Sequence, residues 1–198
     1  MNNSDNAAQT LGLHVWKTLL TGAELPALGP GPRGGVTPLA ALEAQCDAAV
    51  KTSGWTGEQA ALARGAVLLW HDHHDAAHRI AQDIPSRDGS WLHGILHRRE
   101  PDYSNAAYWY QRVGAHAAFG ELARRVAMLV GEAGDAELKR ALFRSGVWNA
   151  RAFIDACERC SARPTGDPQR RLLEKIQAAE WEVFLGHLAG RTEGDGRR

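Results

Sequence analysis

Helical spacing of the apolar residues constrains this chain most. Apolar residues recur every three or four positions between marked helix starts and stops, and no stretch shows the sustained period-two alternation of a strand. Thr37 precedes Pro38, and Thr56 is followed three residues later by Gln59. A side-chain oxygen at the N-cap accepts a backbone N–H, and proline suits the first helical position. The pattern predicts an all-α fold.

We expect one domain, a helical bundle of seven or eight helices over residues 11–190. A Pro/Gly-rich connector at residues 25–37 follows the first helix. The polar ends, residues 1–10 and 191–198, are expected to be disordered tails.

The longest helix is expected between Thr56 and Pro85. The segment GEQAALARGAVLLWHDHHDAAHRIAQDI has no internal proline, Pro85 stops it, and Gly65 is its weak point. A second long helix is expected from Asp135 to about Cys160, where Cys157 completes a CxxC pair that we interpret as inert thiols.

Composition excludes several classes of protein. The 198 residues carry 23 basic and 23 acidic side chains, so we expect no nucleic-acid partner and no membrane association. No apolar run approaches the ~18–20 residues that cross a bilayer, and no signal peptide is visible. Three cysteines are too few for a disulfide framework, which favours a cytoplasmic protein.

The histidines are clustered. Seven of the nine lie within the 46 residues that end at His116, and His93 and His97 stand four apart on a predicted helix. Residues four apart share a helical face, so two such imidazoles can chelate one cation. The preceding segment HDHHDAAH is expected to pack beside this helix. We therefore predict a divalent metal site (Zn, Fe, Mn, Ni or Co), with candidate ligands His71, Asp75, His78, His93 and His97.

Neighbouring residues suggest a reaction. Glu100 and His116 are candidates for acid/base catalysis at neutral pH. Arginines hold anions by forked hydrogen bonds, and tyrosines can wall a pocket. The candidate substrate-binding residues are Arg98, Arg99, Arg112, Tyr103 and Tyr108.

Two functions from different classes fit these residues. The first is a metal-dependent enzyme of hydrolase, lyase or isomerase type that acts on a small, anionic molecule. The alternative is a non-catalytic helical interaction module whose Tyr/Trp face binds a partner helix or peptide. In that alternative, HDHHDAAH is a solvated face of paired carboxylates and imidazoles. A homo-oligomer is compatible with either.

Two resemblances concern the same segment. SWLHGILHRREPDYSNAAYWYQRVGAH, with HDHHDAAHRIAQDI before it, resembles a group of uncharacterised bacterial and fungal proteins that share an HGI-x-HRREPD-x-x-NA-x-YW run. Gln111 replaces the first of two arginines expected there, leaving Arg112. Residues 90–114 also resemble one tetratricopeptide or Sel1-like hairpin, without a second copy. Neither resemblance implies a reaction.

Overall fold

The computed structural model describes residues 3–20, 24–143 and 146–190. These residues form ten helices and no strand, which confirms the all-α prediction. The helices are α1 (Asn3–Thr18), α2 (Leu39–Ser53), α3 (Gly57–Trp70), α4 (His74–Ala81), α5 (Arg87–Arg99), α6 (Tyr103–Val113), α7 (Phe119–Ala133), α8 (Ala136–Leu142), α9 (Ala150–Cys160) and α10 (Pro168–Ala189).

The predicted long helix after Thr56 is divided into α3 and α4. Asp72 lies between them with a φ of 65°, in the left-handed region, which cannot continue a right-handed helix. Its carboxylate pairs with Arg33 and Arg99, at 3.0 and 2.6 Å. These ion pairs hold the Asp72 side chain at the point where the helix breaks.

The second predicted long helix is also divided. It forms α8 and α9, and the Asn149 side chain caps α9 by accepting the Ala152 N–H at 3.1 Å. Residues 3–10, predicted as part of a disordered tail, belong to α1. The tail predicted at residues 191–198 lies outside the described residues.

No helix in the described ranges combines the length and the apolar character that a bilayer span requires.

Helix α5 lies at the centre of the bundle. Every residue from Asp88 to Arg99 is buried, and the helix packs against α3, α4 and most extensively α6. Gly94 permits the close approach of α6, because a Cβ there would lie 2.7 Å from the Tyr110 ring. A helix buried on all sides must pair every charge that it carries.

The two arginines at the end of α5 are paired inside the core. Arg98 donates to Glu180 of α10 at 2.6 Å and to the Tyr110 hydroxyl at 2.8 Å, and both ion-pair side chains are at most 1% exposed. Trp91 donates to the same carboxylate at 2.9 Å. Arg99, which is fully buried, pairs with Asp72. These bonds fasten α5 to α10 and to the α3–α4 junction.

We expect Glu180→Gln to destabilise the protein by about 3–5 kcal/mol, because Arg98 would remain buried without a counter-charge. Chemical denaturation followed by circular dichroism measures this loss. The control is Arg151→Ala, which removes an exposed ion pair to Asp155 on α9 and should change stability little. A Glu180→Gln effect as small as that of the control would show that the buried pair does not hold α5 in place.

Candidate metal centre

Three histidines from α4 and α5 converge inside the bundle. His78, His93 and His97 each offer a ring nitrogen, and these nitrogens all lie within 4.8 Å of one another. The His78 ring centroid is 4.9 Å from that of His93 and 5.4 Å from that of His97. We call these three residues the histidine trio.

The spacing of the trio suits a metal ion after a small contraction. Imidazole nitrogens bind zinc at about 2.0–2.1 Å, which in a tetrahedral site puts the nitrogens roughly 3.3 Å apart. The nitrogens of the trio, within 4.8 Å, reach that spacing by small side-chain rotations. The chain therefore contains a cluster that can hold a metal ion.

Buried ring nitrogens without partners are concentrated here. In the described part of the chain, eight buried side-chain nitrogen or oxygen atoms have no hydrogen-bond partner, and four of them belong to His74, His93 and His97. His93 is only 3% exposed, and its Nδ1 is one of these atoms. Because a buried polar group without a partner is destabilising, such a concentration calls for an explanation.

Burial keeps these imidazoles neutral. It lowers the pKa of His93 to about 4, and the nearby His97 and His78 contribute in the same direction. Burial also lowers the pKa of His97. The pKa of His74 falls to about 4, through burial and then the charge of Arg99. A neutral imidazole retains the lone pair that binds a metal, so the site is suited to a cation at neutral pH.

Glu100 lies at the edge of the trio. It is the C-cap residue of α5, and its Oε2 is 3.0 Å from Nδ1 of His97. Its Oε1 is 4.0 Å from Nδ1 of His74, and its side chain is 30% exposed. A carboxylate beside the second nitrogen of a histidine is a common orienting partner in metal sites.

Residues of α6 complete the surroundings. The Trp109 ring stacks on His93 at 4.0 Å with an interplanar angle of 10°. The Asn105 amide nitrogen lies 3.1 Å from Nε2 of His97. These contacts fix the orientations of the two α5 histidines, so α6 forms one wall of the site.

Two predicted metal ligands lie outside the trio. His71 follows α3, where its Nε2 donates to the Leu19 carbonyl at 2.8 Å and its Nδ1 accepts the Thr37 N–H at 3.3 Å. Both nitrogens of His71 are thus occupied by the backbone. Asp75 is exposed on α4 and does not join the trio.

The predicted anion-binding residues are divided between core and surface. Arg98 and Arg99 are buried in the ion pairs described above, so they hold the fold together and are not available to a substrate. Arg112 is exposed, with its guanidinium 5.4 Å from the Trp109 ring centre and 6.0 Å from that of Tyr108. Tyr108 is 52% exposed, whereas Tyr103 is half-buried against the core.

His116, predicted as an acid/base residue, belongs to a different group. Its Nε2 lies 2.8 Å from Oδ1 of Asp88, which also contacts His187. The structure therefore pairs Glu100 with the trio and places His116 with Asp88.

Several residues of the two groups were not predicted from the sequence. Asp88 and His187 are 99 positions apart, so no local spacing connects them. The stacking of Trp109 on His93 and the proximity of His74 to Glu100 depend on how α4 and α6 pack on α5. The clustering of histidines was the only signal, and it identified the region without assigning partners.

The fold and the site define an all-α protein with a cluster of three histidines, two of them buried and His78 partly buried. No family model matches the chain, and neither the curated proteins nor the solved structures include one that is significantly similar to it. The resemblances of residues 68–116 and 90–114 therefore stay predictions.

The depressed histidine pKa values predict acid sensitivity of the metal-free protein. An unfolded histidine binds a proton near its ordinary pKa of 6.5, whereas His93 in the folded protein binds one only near pH 4. Protonation therefore favours the unfolded state, and stability present above pH 6.5 is lost as the pH falls towards 4. We expect His93→Gln to reduce this loss by on the order of 2 kcal/mol.

Urea denaturation in a chelator at pH 7 and at pH 4.5 measures the difference. His14→Gln, on the exposed side of α1, is the matched substitution. A His93→Gln variant that loses as much stability as the wild type over this interval would contradict the prediction.

Proposed function

We propose that this protein is a metal-dependent enzyme that acts on a small anionic molecule. The observation that carries the proposal is that ring nitrogens of His78, His93 and His97 converge within 4.8 Å, beside the buried and unpartnered Nδ1 of His93. At His71, by contrast, both ring nitrogens pair with the backbone, and a buried nitrogen without any partner is unfavourable. A bound cation would satisfy the nitrogens of the trio.

The ion would be held by His78, His93 and His97. Three nitrogen donors suit Zn, Fe, Mn, Ni or Co, and a three-ligand set leaves a coordination position for a substrate. When bound, such an ion supplies Lewis-acid polarisation of an oxygen atom. This chemistry favours hydrolysis, or a lyase or isomerase reaction, over a redox reaction.

Glu100 is our candidate for the acid/base residue. Its carboxylate lies beside His97 and is partly exposed to solvent. His74 lies on its other side with both ring nitrogens buried and unpartnered. The Glu100 carboxylate therefore lies at the edge of the metal position, where a substrate atom would be protonated or deprotonated.

Arg112 is our candidate for binding the anionic group of the substrate. Its guanidinium lies over the Trp109 ring, which stacks on His93 of the trio. Only the Trp109 ring therefore separates the Arg112 guanidinium from His93. No ion pair within the described ranges includes Arg112. Its donors are thus available to a carboxylate or phosphate.

Metal binding provides the first test. We expect purified, tag-free protein to bind Zn²⁺ or Co²⁺ at the trio, and His93→Ala/His97→Ala to lose one ion per chain because two of three donors are removed. Mass spectrometry of the native protein and elemental analysis measure the stoichiometry. His14→Ala is the control, since it removes an exposed histidine far along the chain on α1.

A wild-type protein that binds no ion, with melting unaffected by added metal, would contradict the proposal. That result would favour the interaction module, whose surface would include the exposed Tyr108.

Substitutions at Glu100 and Arg112 separate catalysis from binding. Once a reaction is detected with small phosphate or carboxylate esters or hydroxy acids, Glu100→Gln should lower kcat by roughly 10²–10⁴-fold. Arg112→Met should chiefly raise KM, because it removes an interaction with the bound anion. Steady-state kinetics measures both effects, with metal content checked for each variant. Wild-type kcat in Glu100→Gln would exclude Glu100 as the acid/base residue.

A further inference from the structure

A second group of metal-ligating side chains lies apart from the trio. Asp88 is in the first turn of α5, His187 is in the last turn of α10, and His116 lies in the connection between α6 and α7. Each offers one potential ligand atom, and the three atoms lie within 4.8 Å of one another. Three separate segments thus bring two imidazoles to one carboxylate.

The distances show that both imidazoles contact the Asp88 carboxylate. Nε2 of His116 is 2.8 Å from Oδ1, and Nε2 of His187 is 3.1 Å from Oδ1 and 3.3 Å from Oδ2. The hydrogen bonds to His116 and His187 lower the pKa of Asp88 against the opposing effect of burial. The carboxylate is therefore ionised at neutral pH and supplies negative charge to the group.

Among the described residues, aromatic rings enclose one side of this group, and His187 is its most exposed member. The His116 ring packs 4.9 Å from Trp91 and 5.4 Å from Phe119, and 4.6 Å from the His187 ring. The side chains of Asp88 and His116 are 8% and 6% exposed, whereas that of His187 is 24% exposed. Among the three, His187 is therefore the side chain most accessible to solvent.

The hydrogen bonds describe the metal-free state of these residues. Nδ1 of His116 accepts the Ala118 N–H at 3.3 Å, so in the neutral ring the proton is on Nε2 and is donated to Asp88. An ion bound at Nε2 of His116 and His187 would require the proton of each neutral ring to move to Nδ1. The long contact from the Ala118 N–H to Nδ1 of His116 would then be lost.

We propose that Asp88, His116 and His187 form a second divalent-metal site. Two imidazoles and one carboxylate suit Zn, Mn, Fe, Co or Ni and leave coordination positions open. An ion there would link the start of α5 to the end of α10 and stabilise the folded state by mass action. The site is independent of the trio, and its existence does not require the proposed catalytic activity.

Stoichiometry tests this proposal. We expect the full chain to bind two Co²⁺ ions at pH 7.5, one at each group. His187→Ala should bind one, and so should His93→Ala/His97→Ala, while the triple variant should bind none. In His93→Ala/His97→Ala, added Co²⁺ should still raise the melting temperature, and the further change His187→Ala should abolish that rise. The partly exposed position of His187 makes this variant less disruptive than one at Asp88.

The controls distinguish failure of this site from failure of the trio. His14→Ala should retain two ions. A single ion in the wild type that persists in His187→Ala and is lost in His93→Ala/His97→Ala would overturn the second site and leave the first. A single ion lost only in His187→Ala would support the second site and overturn the trio. No bound ion in the wild type would overturn both.

Discussion

The burial of charge on α5 is the constraint on which the rest of the structure depends. This helix is enclosed on all sides, yet its last turn carries Arg98 and Arg99, whose charges would be very unfavourable without partners. Glu180 and Asp72 supply those partners from α10 and from the α3–α4 junction. Burial and pairing act in opposite directions on the pKa of Arg98, and the Glu180 carboxylate raises it. Each arginine therefore specifies one neighbour of α5, so the position and rotation of the helix are determined from within the core.

The positions of the histidines in the site follow from the way in which α5 is held. His93 and His97 precede the two arginines on the same helix, so the ion pairs that hold α5 also hold these imidazoles. The break at Asp72 starts α4 at His74 and brings His78 against the α5 histidines, with Trp109 stacked from α6. Because of the same break, His71 stays at the end of α3, away from the trio. There its ring nitrogens pair with the backbone of Thr37 and Leu19. One buried carboxylate thus divides the histidine-rich segment into a structural part and a part that faces the candidate metal position.

The sequence contained part of this information. Apolar periodicity predicted the helical class correctly, and the four-residue spacing identified His93 and His97 as neighbours. The predicted side-chain caps were wrong: Pro38 and not Thr37 is the N-cap of α2, and Thr56 makes no capping hydrogen bond at the start of α3. The sequence could not indicate that Asp72 would interrupt a helix. The interruption depends on Arg33 and Arg99, which lie 39 and 27 positions away. For the same reason Arg98 and Arg99 were interpreted as anion-binding residues: whether an arginine is buried depends on a carboxylate such as Glu180, 82 positions along the chain. Long-range pairing also explains why Asp88 and His187 were not recognised as partners.

The central claim is that His78, His93 and His97 share one ion. Anomalous diffraction from crystals grown with Zn²⁺, collected on both sides of the zinc absorption edge, tests it most directly. We expect a peak about 2.0–2.1 Å from one nitrogen of each of the three rings. A zinc-saturated crystal with no anomalous peak between these three rings would contradict the shared ion.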